Sequence, residues 1–347
     1  MEYIPNIPIE SITLNEVELE WNKFKSKKSS DSAGTSAFLL KQLPKKYINI
    51  ITVLFNKCAG KGEFFNGSKH AKVICLSKDG LYPAVNKLRP ISLLPNLGKW
   101  YERIMHKRIL KWCKDMNIYV NEQSGFSPER RLQARIIPLI EDLRQTITAC
   151  NRPSLCIFVD FLSAFDRMWY PALIQTLIEI DMPLNYTKWI TSWLKNRTIA
   201  IHYGDSTSRT INMNVGAPQG SILAATLFRL HIHFLPRAFF KVTTHLFADD
   251  LAIVISGQLD KKFSENIIEI EERVKYVMKV LEEYSENIIL PVNINKTKAL
   301  LCHNVVAPKI PKIEYKKQKI EIVKSFKYLG VTLTQKLGWG KYIDEKI

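Results

Sequence analysis

Residues 242–255 read Val-Thr-Thr-His-Leu-Phe-Ala-Asp-Asp-Leu-Ala-Ile-Val-Ile, two apolar runs on either side of two adjacent acids. Both runs are rich in β-branched and aromatic residues, which predicts two strands joined by a tight turn. Asp249 and Asp250 then lie at the hairpin tip, where both carboxylates can face one cavity. Two carboxylates about 4 Å apart repel by roughly 4 kcal/mol at an effective dielectric near 20, so the pair takes up a proton or binds a cation. Mg²⁺ suits this donor set, and an ordinary Asp-Asp turn is the alternative.

The composition is that of a globular protein with a large excess of positive charge. The chain has 347 residues, 46% hydrophobic and 24% charged, which is enough for one large domain or two small ones. A net charge of +17 favours a polyanionic partner, because Lys and Arg neutralise phosphates, and a membrane surface is the competing partner. The sequence contains no apolar run of membrane-spanning length and no signal-peptide pattern at its start. We therefore expect an intracellular protein, nuclear or cytoplasmic, with no membrane partner.

The cysteines and histidines do not indicate a structural zinc site. The six cysteines are scattered without a C-x-x-C pair, and Cys75 and Cys156 lie inside apolar runs, where cysteine acts as a small core residue. The pairs His231-x-His233 and Cys302-His303 have some resemblance to metal-ligand spacing. Ordinary packing is the favoured interpretation of both.

Hydrophobic periodicity predicts the elements around the acidic pair. The pattern predicts two helices within residues 36–60, separated by Pro44, and a helix over about 97–116. A strand over 71–80, a hairpin over 199–215 and a helix from the Gly-rich turn at 216–221 through Phe228 and Leu235 are also expected. Residues 263–284 carry an apolar stripe at spacings of four and three, for which packing on a sheet is favoured over a coiled coil. The tail from Lys309 to Leu333 alternates basic and apolar residues, which suggests basic-faced strands.

A third acid follows a different kind of strand. Residues 154–159 form a continuous apolar run of strand length, which favours a central strand buried on both faces. Asp160 comes directly after it, at a usual place for a functional carboxylate, and a loop-opening Asp is the alternative. Asp160, Asp249 and Asp250 thus form a candidate trio.

Two further features point towards phosphate chemistry. Residues 216–221, Gly-Ala-Pro-Gln-Gly-Ser, form a Gly-rich turn before a helix, which can approach a phosphate or a sugar closely or serve as a plain connection. Lys78 and Arg89 flank a hairpin-like arm earlier in the chain, where exposed basic residues either contact phosphates or are only solvated. Three carboxylates, a cationic protein and this turn together indicate two-metal-ion phosphoryl transfer.

The order of the segments resembles the reverse transcriptases of non-LTR retrotransposons, most of all those of jockey-like elements, over residues 71–340. Six motifs carry the resemblance, in the family's order: Lys-Leu-Arg-Pro-Ile-Ser-Leu-Leu at 87–94, Phe-Val-Asp at 158–160 with Ala-Phe-Asp at 164–166, the turn at 216–221, Phe-Ala-Asp-Asp at 247–250, Asn-Lys-Thr-Lys at 295–298 and Tyr-Leu-Gly-Val at 328–331. Each motif alone is weak, and six in order are strong.

The resemblance implies an α+β right-hand polymerase fold of fingers and palm, the palm being an antiparallel sheet packed on helices. Residues 1–70 are then a helical and basic lead-in and residues 71–340 the reverse transcriptase domain, with 71–150 mainly fingers and 151–340 mainly palm. On the same basis we expect a missing or truncated thumb and no endonuclease domain ahead of the polymerase region.

The resemblance also assigns roles near the reacting groups. Asp160, Asp249 and Asp250 would bind two Mg²⁺ ions, with Mn²⁺ as an alternative. Phe165 would be an aromatic gate that excludes a ribose 2′-hydroxyl and so selects dNTPs. Lys296 would act as a general acid near the leaving pyrophosphate.

Further residues would contact the substrates, which are an RNA template, a DNA primer and dNTPs. The residues involved are Lys78 and Arg89 at the triphosphate, Gln219 and Gly220 at the nucleotide and template pocket, and Tyr328, Leu329 and Gly330 at the primer end. Asp166 is assigned a structural capping role. The oligomeric state is left open.

The sequence departs from the family pattern at several places. Ala224-Ala225 replace a customary Ser-Pro, the family's Gly-Phe-Arg turn appears as Gly125-Phe126-Ser127, and a customary Pro and Trp are absent within residues 65–70. None of these changes removes a predicted metal ligand. Because the chain departs from the family pattern, the main alternative is a decayed or domesticated fragment that binds nucleic acid without catalysis. An RNA-templated RNA polymerase is a third option, and Phe165 argues against it.

Overall fold

The computed structural model describes residues 9–77, 88–127, 130–148, 152–306 and 308–345, which form a mixed α/β structure. In chain order the elements are α1 (Leu14–Asn22), α2 (Ala37–Lys41), α3 (Lys45–Lys61), β1 (His70–Ser77), β2 (Leu88–Leu93), α4 (Asn96–Asp115), α5 (Gln133–Ile147), β3 (Ser154–Val159), α6 (Tyr170–Glu179), α7 (Leu184–Leu194), β4 (Arg197–Tyr203), β5 (Ser206–Thr207), β6 (Ile211–Met213), α8 (Ile222–His231), α9 (Leu235–Ala238), β7 (Thr243–Phe247), β8 (Asp250–Ser256), α10 (Phe263–Asn287), β9 (Lys298–Cys302), β10 (Glu314–Tyr315), β11 (Gln318–Lys319), β12 (Glu321–Ile322), β13 (Ser325–Tyr328), β14 (Val331–Thr334) and α11 (Gly340–Asp344). No helix among the described residues is long and apolar enough to cross a membrane.

The chain forms two compact units. Unit 1 comprises Met1–Ile118 and Met168–His231, and unit 2 comprises Tyr119–Arg167 and Ile232–Ile347. The chain thus passes from one unit to the other three times, which a division by sequence position alone does not anticipate.

Unit 1 is built on a sheet in which β1 lies between an antiparallel and a parallel neighbour. β1 pairs with β2 antiparallel and with β4 parallel, and β4 also pairs with β5 and β6. The predicted arm and the predicted hairpin over 199–215 are therefore both present. Arg89 is exposed on β2 opposite Leu76, whereas Lys78 lies outside the described residues.

Aromatic rings fill the helical side of unit 1. The fully buried rings include Trp100, Tyr101, Trp189 and Phe55, with Phe55 stacked on Tyr101 at a centroid distance of 4.9 Å. Pro44 separates α2 from α3 as predicted, because proline supplies no backbone N–H and fits the start of a helix.

The helix after the Gly-rich turn is shorter than the sequence pattern predicts. α8 ends at His231, and α9 begins at Leu235 with Pro236 in its first turn. The expected helix through Leu235 is therefore wrong, because a proline at 236 removes a backbone donor and clashes with the carbonyl four residues earlier.

Unit 2 contains a five-stranded sheet in the order β12-β9-β3-β8-β7. Three of its strand pairs are antiparallel as expected, but β12 pairs with β9 in parallel, so the sheet is mixed. β3 is central and all six of its residues are buried, as its unbroken apolar run predicts. α5 covers one face through Ile136, Leu139 and Leu143, which join a cluster that includes Phe158.

The apolar stripe of α10 is a packing surface, as favoured over a coiled coil. Its members Ile267, Ile270, Val274, Val277 and Leu281 are all buried within the chain. β10 to β14 then confirm the strands expected after Lys309.

Candidate active site

The acidic pair lies at the tip of the hairpin that β7 and β8 form. Phe247 pairs with Asp250 and closes a two-residue turn, so Asp249 lies in the turn and Asp250 is the first residue of β8. Ala248 has a positive φ of 57°, a left-handed conformation that costs a residue with a Cβ about 1–2 kcal/mol. The surrounding structure must therefore hold Ala248 in place.

Strand register brings Asp160 to the same end of the sheet. β3 and β8 are antiparallel with Val159 opposite Leu251, so the next step of the register places Asp160 beside Asp250. On the other side Lys296 lies in a turn that follows Asn293, and the Asn293 N–H donates to the Asp160 carbonyl at 2.7 Å. The Asp160 N–H donates to Thr297 Oγ1 at 3.2 Å, which anchors this strand end.

The three carboxylates influence one another electrostatically. Loss of solvent around the carboxyl raises the pKa of Asp250 to about 6, and the charges of Asp249 and Asp160 add to this, although the residue keeps an exposed face. Burial also raises the pKa of Asp249, with a smaller contribution from Asp160. None of the three forms an ion pair with a cation of the described residues.

The carboxylates do not form a ready-made coordination sphere. Within the described ranges, no group of three His, Cys, Asp or Glu side chains is arranged to hold a metal ion. The oxygen donors and the lack of a cationic partner among the described residues nevertheless suit a hard divalent cation.

Gln123 holds the turn at Ala248 and is a residue that the sequence pattern did not indicate. Its side chain is 2% exposed, and its Nε2 donates to the Ala248 carbonyl at 3.1 Å. Its Oε1 accepts from the Ala248 N–H at 3.0 Å and from the Gly125 N–H at 2.7 Å. One amide side chain thus satisfies both backbone groups of the residue that precedes Asp249.

The backbone around Gln123 reinforces this contact. The Leu246 N–H donates to Glu122 O at 2.8 Å, and the Ser124 N–H donates to Leu246 O at 2.9 Å. A Cβ on Gly125 would lie 2.0 Å from the Ala248 nitrogen, so only glycine permits this approach. In the sequence, Gly125-Phe126 was recognised only as part of a motif. The contact with Ala248 that requires glycine at 125 cannot be read from the sequence.

A second set of polar contacts holds the β7–β8 hairpin. Tyr328 is buried, and its hydroxyl donates to the Asp250 carbonyl at 3.0 Å. His245 Nε2 lies 2.8 Å from Asp142 Oδ2, and its Nδ1 lies 3.3 Å from Arg135 Nη1. Burial lowers the pKa of His245, Asp142 opposes this effect, and the Arg135 charge favours it. Leu329 and Gly330 form the two-residue turn between β13 and β14, both with positive φ.

Phe165 lies in a short 3₁₀ turn, Ala164–Arg167, directly after the Asp160 loop. Its ring meets the ring of Phe126 edge to face at 5.7 Å. Phe126 itself has a positive φ of 55° and is 44% exposed. Asp166, whose N–H donates to Ser163 O, belongs to the same turn.

The remaining predicted site residues belong to unit 1. Gln219 accepts a backbone hydrogen bond from Ser92 at 2.7 Å, and Gly220, with a φ of 140°, would place a Cβ 2.4 Å from the Ser92 carbonyl oxygen. The Gly-rich turn therefore packs backbone to backbone on β2. The substrate contacts expected for Arg89, Gln219 and Gly220 stay predictions.

Comparison with known proteins identifies the family. The model of the reverse transcriptase (RNA-dependent DNA polymerase) family matches residues 76–333. The chain is 26% identical over 358 residues to the RNA-directed DNA polymerase from mobile element jockey of Drosophila melanogaster, covering 97% of this chain and 37% of that protein. It is 27% identical over 315 residues to the probable RNA-directed DNA polymerase from transposon X-element of Drosophila melanogaster, covering 88% and 33%.

The jockey polymerase of Drosophila funebris is 24% identical over 345 residues, which cover 97% of this chain and 37% of that protein. The chain thus spans about a third of the length of these relatives. The family match covers most of the chain and includes the hairpin of Asp249 and Asp250, the strand end at Asp160 and the turn of Phe165. The chain belongs to the reverse transcriptase (RNA-dependent DNA polymerase) family.

Proposed function

We propose that this chain is the polymerase part of a jockey-like non-LTR retrotransposon protein, which extends a DNA primer with dNTPs on an RNA template. The observation that carries the proposal is that Asp160, Asp249 and Asp250 come to the same end of the antiparallel strands β3, β7 and β8. In this proposal the five-stranded sheet of unit 2 with α5 and α10 is the palm, and the arm of β1 and β2 belongs to the fingers.

Asp160, Asp249 and Asp250 are the residues that would hold divalent cations, two Mg²⁺ ions in the proposed mechanism. Such ions supply Lewis-acid activation of the primer 3′-hydroxyl and neutralise charge on the triphosphate. The proposal is supported by the raised pKa values of Asp249 and Asp250, to which the Asp160 charge contributes, and by the absence of a cationic partner among the described residues.

The chain's own side chains then position and protonate the substrates. Lys296 is exposed in the turn after Asn293, which is bonded to the backbone of Asp160, and its ammonium would donate a proton to the departing pyrophosphate oxygen. The ring of Phe165, supported edge-on by Phe126, would fill the space that a ribose 2′-hydroxyl needs. Leu329 and Gly330, at the tip of the β13–β14 hairpin, would contact the primer end, and the Tyr328 hydroxyl would couple that hairpin to Asp250.

A primer-extension assay on an RNA template tests the proposal. We expect Mg²⁺-dependent dNTP incorporation that falls by more than about 100-fold in Asp249→Asn, since loss of an outer-sphere partner alone typically costs 10–100-fold. RNA binding should persist in this variant. Asp260→Asn, which changes an exposed acid beyond the opposite end of β8, is the matched control and should retain activity.

The same assay separates the proposal from its main alternative. If the unmodified chain binds the template but incorporates no nucleotide, the enzyme assignment fails and a non-catalytic nucleic-acid-binding fragment remains. Incorporation of rNTPs in preference to dNTPs would instead contradict the assigned role of Phe165.

A further inference from the structure

A buried lysine without a carboxylate partner lies at the start of β1 in unit 1. Lys69 is 5% exposed, and its backbone is fixed because its N–H donates to Asn66 O at 3.1 Å and its carbonyl accepts from Thr198 at 3.2 Å. Lysine is rarely this buried unless it is paired. Among the described residues, however, Lys69 takes part in no salt bridge.

A second buried cation adjoins it. β1 and β4 are parallel with His70 opposite Thr198, so one step earlier in the register Lys69 lies opposite Arg197. Like charges directly opposite each other on neighbouring strands are destabilising. Burial lowers the pKa of Lys69, the Arg197 charge lowers it further, and the Glu63 charge opposes this with a smaller effect.

Arg197 is buried as well, which lowers its pKa to about 10, and the charge of Glu102 only partly opposes this effect. Arg197 is 1% exposed, donates from Nη1 to Trp193 O at 2.9 Å and lies 4.5 Å from the centre of the Trp193 ring. It too forms no salt bridge with a carboxylate of the described residues. A buried charge that is only partly compensated is destabilising, so an anion that reached Lys69 through solvent would stabilise the pair.

Lys69 lines an open cavity that gives such an anion access. The cavity has a volume of about 680 Å³, and among the described residues its lining includes Lys61, Lys188 and Lys195 with Glu63 as the one acid. These three further lysines are exposed. A buried lysine surrounded by three exposed lysines suits a ligand with several negative groups better than it suits one small anion.

We propose that this lysine pocket, formed by Lys61, Lys69, Lys188 and Lys195, binds backbone phosphates of a single-stranded nucleic acid. Lysine ammonium groups are compact point charges that bind phosphate oxygens without needing a fixed planar geometry. The net charge of +17 is consistent with a polyanionic ligand. The inference depends on this cavity and on no catalytic step.

Three variants and one control test the proposal in the full chain. Lys69→Met removes the buried charge and keeps an unbranched apolar stem, whereas Lys69→Arg keeps the charge. Lys57→Met is the control, because Lys57 is exposed on α3 in the same unit and does not line the cavity. A double variant of Lys188 and Lys195 to Met changes only exposed lysines and covers the case in which Lys69→Met does not fold.

The first measurement is thermal melting with and without inorganic phosphate. Phosphate should raise the melting temperature of the unmodified chain and of Lys57→Met, but much less that of Lys69→Met. In phosphate-free buffer, Lys69→Met should melt at or above the temperature of the unmodified chain, because it loses an unpaired buried charge.

The second measurement is binding of a fluorescent single-stranded RNA at several salt concentrations, without metal or dNTP. The slope of log affinity against log salt should fall by about 0.7 for each phosphate that the variant no longer neutralises, in Lys69→Met and in the double variant. Lys69→Arg and Lys57→Met should keep the slope. Because no catalysis is measured, an inactive polymerase leaves this test intact.

Two results would overturn the proposal. If Lys69→Met loses the phosphate stabilisation but its RNA affinity keeps the salt slope of the unmodified chain, the pocket binds a free phosphate ion rather than a nucleic-acid strand. If Lys69→Met and the double variant show the same phosphate stabilisation and the same salt slope as the unmodified chain, the lysine pocket binds no phosphate.

Discussion

Removing the Gln123 side chain should release the turn that carries Asp249. In Gln123→Ala, the N–H and carbonyl of Ala248 and the N–H of Gly125 lose their partner. Each buried polar group left unpaired costs about 1–3 kcal/mol, so the loss of unfolding free energy should be on the order of 3 kcal/mol or more. The left-handed conformation of Ala248 would also lose the hydrogen bonds that offset its cost of about 1–2 kcal/mol.

Three measurements check this prediction. The urea midpoint of Gln123→Ala should fall, the Ala248 and Gly125 amides should exchange hydrogen faster, and the rate of primer extension at saturating dNTP should fall because Asp249 is no longer fixed. Gln123→Glu keeps both acceptor contacts and loses only the donor to the Ala248 carbonyl, although it buries a charge, and it should retain more protection at Gly125 than Gln123→Ala.

Gln258→Ala is the matched control. Gln258 is exposed in the same unit, and its Nε2 donates to Glu269 at 2.7 Å, so its removal should change stability by about 0.5 kcal/mol or less. If Gln123→Ala unfolds at the same urea concentration as this control, and the Ala248 amide keeps its protection, then Gln123 does not hold the turn and the reasoning is refuted.

Two other predictions concern selectivity and pH. Phe165→Val should lower the ratio of kcat/KM for dNTP over rNTP by about 10-fold or more, as the loss of apolar contact in a pocket typically does, and an unchanged ratio in single-nucleotide incorporation would remove Phe165 from sugar selection. His231 is fully buried, neither ring nitrogen has a partner among the described residues, and burial lowers its pKa to about 4. At His231 the unfolded chain therefore binds a proton more tightly than the folded chain. The contribution of neutral His231 to the free energy of unfolding is complete above the ordinary pKa of 6.5. It is lost as the pH falls towards 4, by up to about 3 kcal/mol. His231→Leu should flatten this part of the stability profile, measured by denaturant unfolding against pH, and an unaltered profile would contradict the assignment.

The strands and the positions of the acids were predictable because they depend on local pattern. The uninterrupted apolar run before Asp160 predicted a strand buried on both faces, and β3 is central and fully buried. Two β-prone runs around an acidic pair predicted the hairpin tip. In each case side-chain alternation or its absence reports burial directly.

The end of α8 was mispredicted for a local reason, whereas the contacts of the hairpin were missed for a non-local one. Pro236 marks a helix boundary, but the apolar residues around it continue the helical pattern. Gln123 and Ala248 are 125 positions apart, and neither residue type indicates that its partner exists. Likewise, the pairing of Lys69 with Arg197 follows only from the parallel register of β1 and β4.

Local sequence pattern predicts most of the helices and strands, the positions of the three acids and the resemblance to reverse transcriptases, because motifs and periodicities are properties of neighbouring residues. The tertiary structure decided which distant groups meet: Asp160 with Asp250, Gln123 with the turn at Ala248, and Lys69 with Arg197. The physical reason is that strand register and backbone hydrogen bonding fix such pairs only after the chain has folded, and the electrostatic effects at the carboxylates and at the buried cations arise from those meetings.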